Sequence, residues 1–175
     1  MSDVSNYEQV YKTWQDDPEK FWATEAKELS WSKSWDKVFD GDQGAYGRWF
    51  EGAECNTCYN AVDRHVEDGR GEQAAIIYDS PVTETKQTYS YAEVKSEVEA
   101  LAAALQDQGV TKGDRVLIYM PMVPEAAFAM LASARLGAVH SVVFGGFAAN
   151  ELAIRIDDCS PKAIISASCG IEPNR

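Results

Sequence analysis

Apolar positions in the second half of the chain form three short runs that are separated by segments with helical spacing. The runs have the length of strands and occupy Arg115–Met120, Val139–Phe144 and Ala163–Ser166. Between them, one helix is predicted to begin at Pro124 and another after Gly146. Strands that alternate with helices in this way predict a β-α-β-α-β unit, whose parallel strands are joined by right-handed crossovers.

The residues just before this unit predict two short strands and a longer helix. The strand candidates, 74–78 and 88–91, flank a polar turn. Ser90 and Glu93 form a capping box that opens the helix, and Gly109 is expected to end it. The inner face of this helix is predicted to consist of Val94, Val98, Leu101 and Leu105.

The amino-terminal region is patterned differently. Apolar residues at helical spacing predict a short first helix, and they are Tyr7, Val10, Tyr11 and Trp14. Asp17 and Pro18 are typical of a helix start and predict a second helix. No period persists over residues 29–54, which are expected to be an irregular arm, and residues 60–67 are expected to form a helix that ends at Gly69.

Composition changes along the chain as well. All five tryptophans lie before residue 50. Residues 1–72 carry 16 acidic and 8 basic side chains, a net charge of −8, whereas residues 73–175 carry 12 and 8, a net charge of −4. The shift predicts a boundary between an aromatic, acidic region at 1–72 and an aliphatic region at 73–175.

The formal charge of the whole chain, −12, argues against two kinds of partner. Neither the phosphate backbone of nucleic acid nor an anionic membrane attracts such a chain. The longest apolar stretches, such as residues 100–105 and 137–146, are far shorter than the roughly 20 residues of a membrane span. The first twenty residues are polar and acidic, so they are not expected to act as a signal peptide. We expect a soluble protein of the cytoplasm, or of the mitochondrial matrix in a eukaryote.

Residues with the chemistry of an active site are few. Cys55 and Cys58 form a single Cys-x-x-Cys, a weak zinc signal without a second half, and all four cysteines are expected to be buried or surface thiols. His65 and His140 are too scattered for a metal site, and His140 is expected to be a core group. Three methionines are expected to fill the core: Met120, Met122 and Met130. Because no phosphate loop, dinucleotide motif or nucleophile elbow occurs, we predict no catalytic residue and no metal ligand.

Two glycines after the second parallel strand have a chemical meaning. Gly145 and Gly146 would let the backbone approach a ligand closely. They would lie at the edge of the sheet where open α/β proteins bind ligands, ahead of a helix amino terminus that favours anions. The alternative is a tight strand-to-helix turn that requires positive φ, and the pattern alone favours this alternative.

Three longer segments of the chain carry a family resemblance: NTCYNAVDRH at 56–65, GDRVLIYMPMVPEA at 113–126 and LASARLGAVHSVVFGGF at 131–147, with a shorter match at 155–158. Together they resemble the short-chain acyl-CoA synthetases of the AMP-forming, adenylate-forming superfamily. The resemblance extends from about residue 14 to residue 175. Details at 78–83 and 166–173 look more like propionyl-CoA synthetases than acetyl-CoA synthetases.

The resemblance implies an α/β fold and an activity for a longer parent enzyme. An irregular, helical, aromatic extension of the acetyl-CoA synthetase type (1–72) would precede the first β-α units of the AMP-binding domain (73–175). Such enzymes convert propionate or another short-chain carboxylate, with ATP, Mg²⁺ and CoA, to acyl-CoA, AMP and pyrophosphate through an acyl-adenylate. Their phosphate loop, acyl pocket and catalytic lysine domain lie beyond the equivalent of residue 175. This chain alone is therefore expected to be inactive and to hold no cofactor tightly.

The resemblance also implies which residues contribute to the CoA surface. In the family, the CoA nucleotide lies against a Phe-Gly-Gly turn and near two arginines after the next strand. The turn maps to Phe144, Gly145 and Gly146, and the second arginine maps to Arg175. The first arginine maps to Glu172, a departure that would repel the 3′-phosphate of CoA. A role facing the ligand is then the favoured interpretation of the two glycines.

Two alternatives stay open. The chain could be a piece of an acetyl-CoA synthetase, or a free-standing, non-catalytic interaction module that binds a partner through its aromatic arm. A parallel sheet needs both faces covered, so we expect this chain to expose apolar surface. That surface would contact the rest of a parent chain, or make the isolated chain prone to self-association.

Overall fold

A computed structural model describes residues 6–146 and 148–171. The chain divides into two compact units, Met1–Cys55 and Asn56–Arg175. The division predicted between residues 72 and 73 rests on composition and resemblance, and it stays a prediction about domains.

The first unit begins with two helices, α1 (Tyr7–Asp16) and α2 (Pro18–Glu25), followed by a 3₁₀ turn at Ala26–Glu28. The predicted helix start is confirmed, because the Asp17 side chain accepts a hydrogen bond from the backbone N–H of Lys20 at 3.0 Å. This bond satisfies one of the amide groups that a helix amino terminus leaves without an intrahelical partner.

The stretch expected to be irregular contains a hairpin instead. Strands β1 (Lys37–Asp40) and β2 (Arg48–Glu51) pair antiparallel, with Phe39 opposite Trp49. These two rings have centroids 4.7 Å apart. Beside them, Phe50 packs against two further rings, Trp31 at 5.5 Å and Trp35 at 5.3 Å. Strands of only four residues present too few alternating positions for a period to be recognised, so the expectation of an irregular arm was wrong here.

The second unit begins with a helical segment over residues 57–70, longer than the predicted 60–67. It contains two wide π-helical turns, Tyr59–Asp63 and Val66–Arg70, and Gly69 has a φ of 81° near its end. Strands β3 (Ala74–Ser80) and β4 (Thr85–Ser90) then form an antiparallel hairpin.

Helix α3 (Tyr91–Asp107) follows this hairpin and has the predicted capping box. The backbone N–H of Glu93 donates to Ser90 Oγ at 3.2 Å, and the N–H of Ser90 donates to Glu93 Oε2 at 2.7 Å. Its buried residues are Val94, Val98, Ala102 and Leu105.

A three-stranded parallel sheet is the centre of this unit. It consists of β5 (Arg115–Met120), β6 (Val139–Phe144) and β7 (Ala163–Ser166), in the order β6-β5-β7. Helix α4 (Pro124–Arg135) connects β5 to β6, and helix α5 (Ala149–Cys159) connects β6 to β7. The three strands have the bounds predicted from the sequence, and the predicted α/β class with an aromatic, helical amino-terminal arm is confirmed.

The main core lies on one face of the sheet. Val116 and Ile118 of β5 pack there with residues of α3 and α4, including the fully buried Val98 and Ala129. Leu117, which is also fully buried, points to the opposite face. The chain leaves β5 for β6 and then crosses back to β7. Right-handed crossovers therefore place α4 and α5 on opposite faces.

Candidate functional site

The carboxyl ends of β5 and β6 form the candidate site, which we call the carboxyl edge and define by residues 120–124 and 144–146. Met120 and Phe144 are the last residues of their strands and lie opposite each other in the parallel register. Gly145 and Gly146 follow directly. In open α/β sheets, ligands bind in the crevice outside this end of the strands.

Contacts within the chain explain why residue 145 is a glycine. A β-carbon on Gly145 would lie 2.8 Å from the carbonyl oxygen of Met120 and 3.1 Å from the nitrogen of Pro121. Both atoms belong to the backbone of the neighbouring loop, so they have little freedom to move away. The absent side chain thus lets the turn after β6 touch the loop after β5.

Gly146 has a different neighbour. A β-carbon there would lie 2.7 Å from Cε1 of Phe144, whose ring folds over this glycine. The φ angles of Gly145 and Gly146 lie outside the left-handed region that other glycines of the chain occupy. The alternative in which the turn requires positive φ is therefore wrong, and close packing accounts for both glycines.

Two residues on these strands and loops, Met122 and His140, differ in exposure from the sequence expectation. Met122 is 82% exposed, and Phe144, for which no burial was predicted, is 60% exposed. Met120 and Met130 are partly buried against the core, as predicted, but Met122 does not fill it. His140 is exposed on β6, so its prediction as a core group was wrong as well. Alternation along an edge strand does not indicate which face is covered, because coverage depends on the helices.

Two positions assigned from the resemblance lie outside the described residues. They are Arg175, predicted to contact CoA, and Glu172, the departure from the family. Within residues 6–146 and 148–171, no three histidine, cysteine or carboxylate side chains come together as a metal site would require. The four cysteines are free thiols, of which Cys58 is buried and Cys55 exposed.

A second group of polar residues, which sequence reasoning missed, lies where α4 ends. We call it the Asp63 cluster and define it by Asn56, Cys58, Asp63, Lys95 and Arg135. Arg135 Nη2 donates to both carboxylate oxygens of Asp63, at 2.9 and 2.8 Å. Asp63 is only 5% exposed, and Lys95 Nζ lies 3.8 Å from its Oδ1.

Asn56 ties the same two elements together through the backbone. Its Nδ2 donates to the carbonyl oxygens of Ala134 at 3.3 Å and Arg135 at 2.9 Å, at the end of α4. Its Oδ1 accepts from the N–H of Tyr59 at 3.0 Å, at the start of the 57–70 helical segment. One amide thus links the backbone at the end of α4 to the backbone of the first turn of the 57–70 helical segment.

Burial governs the electrostatics of this cluster. It raises the pKa of the Cys58 thiol, and the nearby Arg135 only partly opposes this, so burial favours the neutral thiol over the thiolate. Burial is the largest single influence on Arg135 and would lower its pKa, but the hydrogen bonding to Asp63 and the charges of nearby acidic groups, Asp63 and Glu99 among them, together outweigh it and leave that pKa raised. The contacts of the cluster join the end of α4 to the 57–70 helical segment.

Comparison with known protein families agrees with this geometry. The family of AMP-binding enzymes matches residues 62–174, and the acetyl-coenzyme A synthetase N-terminus matches residues 7–61. The chain belongs to the AMP-binding enzyme family. Within this family it belongs with the acyl-CoA and acetyl-CoA synthetases of the adenylate-forming superfamily, as its relatives indicate.

The relatives carry two kinds of name. The acyl-CoA synthetase short-chain family member 3, mitochondrial, of Rattus norvegicus is 55% identical over 159 residues, which are 91% of this chain and 23% of that protein. The acetyl-coenzyme A synthetase of Deinococcus radiodurans is 48% identical over 95% of this chain and 25% of that protein. The corresponding enzyme of Xanthobacter autotrophicus is 46% identical over 99% and 27%. The chain thus spans about a quarter of the length of these relatives.

Among residues 6–146 and 148–171, no helix is both long and apolar enough to cross a bilayer.

Proposed function

We propose that the chain is part of an AMP-forming acyl-CoA synthetase that acts on propionate or a carboxylate of similar size. One observation carries this proposal. The chain matches acyl-CoA synthetases at 46–55% identity over almost its whole length, and its Phe-Gly-Gly turn follows the carboxyl end of β6, the end of parallel strands at which open α/β sheets bind ligands. Sequence details at 78–83 and 166–173 favour propionate, and acetate is the second candidate because two relatives carry the name acetyl-coenzyme A synthetase.

The proposed reaction has two half-reactions. A carboxylate oxygen of the acid attacks the α-phosphorus of ATP, with Mg²⁺ bound to the phosphates, and pyrophosphate leaves with the electrons of the broken P–O bond. The thiol of CoA then loses its proton to water and attacks the acyl carbon, and AMP leaves with the electrons of the broken bond between that carbon and the phosphate oxygen. No described residue is assigned to bond making in either step.

The proposed contribution of this chain is scaffold and part of the CoA surface. Residues 1–72 would be the amino-terminal extension, and residues 73–175 would begin the large domain. Phe144, Gly145 and Gly146 would receive the CoA nucleotide, and Arg175 would pair with its phosphate. ATP, Mg²⁺ and the catalytic groups would be held by the remainder of a longer parent protein, in the cytoplasm or the mitochondrial matrix.

Activity and mass measured on the same sample test this proposal. We expect a sample with an intact mass near 19.3 kDa to form no AMP from propionate, ATP and CoA. We expect a parent protein of the relatives' length to form it, with a higher kcat/KM for propionate than for acetate. AMP formation at 19.3 kDa would refute the assignment of this chain as scaffold. A parent that is inactive on all short carboxylates would refute the function, and a preference for acetate would refute only the substrate.

A further inference from the structure

The loop after β5 presents an exposed methionine on an unusually stiff backbone. Met122 is 82% exposed and lies between Pro121 and Pro124, each of which fixes its own φ angle. The backbone N–H of Val123 donates to the carbonyl oxygen of Pro121 at 2.9 Å, which closes a tight turn around Met122. A large apolar side chain held out in water by a stiff loop loses little backbone entropy when it contacts a ligand.

The same loop is fixed relative to the Phe-Gly-Gly turn. Gly145 lies against the carbonyl group of Met120 and the nitrogen of Pro121, and Phe144 is the register partner of Met120. The exposed ring of Phe144 and the exposed thioether of Met122 therefore belong to one rigid edge. Phe144 is the last residue of β6, and Met122 lies two residues after the end of β5, so short backbone segments hold both side chains at this edge.

The charges at this edge favour an uncharged part of a ligand. The first turn of α4 carries Glu125, and the first turn of α5 carries Glu151. The Glu151 carboxylate is paired with Arg155 at 3.0 Å. Glu125 would repel phosphate groups, whereas Phe144 and Met122 offer polarizable surface to a flat ring. A thioether also contacts aromatic rings favourably.

We propose that the Met122 side chain is a second contact for the adenine ring of CoA, beside Phe144. This inference rests on the proposed function, since it extends the same nucleotide surface from the turn after β6 to the loop after β5. The ring would lie against Phe144 while the Met122 thioether touches its face or edge. Gly145 would be a positioning residue, because it keeps the two loops in contact.

Methionine methyl groups offer a direct test on the chain itself. The sequence contains four methionines, namely Met1, Met120, Met122 and Met130. We would label their methyl groups with ¹³C, identify the Met122 signal with Met122→Leu, and add CoA up to millimolar concentration. We expect a saturable shift of the Met122 signal with no shift of Met130, which lies partly buried against the core.

The outcomes separate the inference from the function on which it rests. If CoA shifts the amide signals of Gly145 and Gly146 but leaves the Met122 methyl signal unchanged, the inference is overturned and the proposed CoA surface stands. If CoA shifts no signal at this edge, the inference about Met122 and the proposed CoA surface are both overturned. Adenosine should reproduce the Met122 shift, whereas pantetheine, which lacks the ring, should not.

A matched pair of variants gives the size of the contact. Met122→Ala should weaken CoA binding about two- to tenfold, the range expected for one sulfur–aromatic contact. Val82→Ala removes an exposed apolar side chain from the β3–β4 turn and should leave the affinity unchanged. Equal affinities for Met122→Ala and the unmodified chain would count against the proposal, and the unchanged methyl signal of Met130 would show that the variant is folded.

Discussion

The two edges of the parallel sheet differ in the hydrogen bonding of their polar groups and in the exposure of their side chains. At the amino edge, the Asp114 carboxylate accepts hydrogen bonds from the backbone N–H and the hydroxyl of Thr111, at 2.8 and 2.9 Å. Nearby, Arg115 Nε donates to the carbonyl oxygen of Cys159 at 2.9 Å, where α5 ends. At the carboxyl edge, by contrast, Met122 and Phe144 are mostly exposed.

The Asp63 cluster belongs to the amino edge as well, because α4 runs back from the carboxyl ends of the strands and ends at Arg135. Both edges consist of segments that resemble acyl-CoA synthetases, but the two edges have different roles. At one edge the polar groups use each other as partners and stabilise the fold. At the other edge apolar side chains stay uncovered, at the end of the strands where α/β proteins bind ligands.

Removal of the guanidinium from the Asp63 cluster should have the largest effect. Arg135→Met would leave the Asp63 carboxylate, 5% exposed, with only Lys95 at 3.8 Å as a nearby cation. We expect a loss of about 3 kcal/mol in the free energy of unfolding, near the lower end for a broken buried ion pair because Lys95 remains. Urea unfolding would measure this loss, and hydrogen exchange of the backbone amides in α4 and β6 would show where it occurs.

An exposed ion pair provides the control for this substitution. Lys12 Nζ lies 3.0 Å from Asp16 Oδ1 on the surface of α1. Lys12→Met should change the unfolding free energy by less than about 0.5 kcal/mol. If the two variants lose similar amounts, the Asp63 cluster does not stabilise the fold in the way described.

A side chain at residue 145 should have an intermediate effect at the carboxyl edge. Gly145→Ala would place a β-carbon 2.8 Å from the Met120 carbonyl oxygen, so one of the two loops must shift. We expect a loss of about 1–3 kcal/mol, together with changed amide signals in residues 120–123. Gly170→Ala is the matched control, since nothing described lies within 4 Å of a β-carbon there, and it should be neutral. Unchanged loop signals in Gly145→Ala would contradict the contact.

Acid should lower the free energy of unfolding through Asp114 at the amino edge. This effect should be smaller than those of Arg135→Met and Gly145→Ala. The hydrogen bonds from the Thr111 backbone and hydroxyl lower the pKa of the Asp114 carboxyl in the folded chain. Its contribution is therefore fully present above the unfolded pKa of about 3.9 and is lost as the pH falls through the lower folded value. Asp114→Asn should be less stable than the unmodified chain at pH 6, and the difference should shrink as the pH falls below about 3.9. A constant difference over this range, measured by urea unfolding, would disprove the assignment.

Sequence patterns predicted the sheet well because its strands are local and strongly marked. Arg115–Met120, Val139–Phe144 and Ala163–Ser166 were predicted with the bounds that the structure has. The capping box at Ser90 and the cap at Asp17 also depend only on neighbours along the chain. These features involve residues at most a few positions apart, so the sequence contains all of their determinants.

Features that depend on distant partners were predicted poorly. Asp63 and Arg135 are 72 positions apart, and no local pattern connects them. Met122 was expected to fill the core because methionine usually does, whereas its loop leaves it exposed. A signal for the cluster was present, since residues 56–65 resemble the family. A resemblance does not say, however, which residue Asp63 contacts or at what distance.

The sequence by itself determined the element order, the helix caps, the parallel α/β class and the family, because each follows from local spacing or from a long run of matching residues. Only the tertiary structure decided what those matching residues do. It assigned Asn56 and Asp63 to a closed cluster, and it showed that Gly145 accommodates the Met120 carbonyl group rather than a positive φ. The physical reason is that burial, ion pairing and close approach are relations between atoms far apart in the chain, and these relations exist only once the chain has folded.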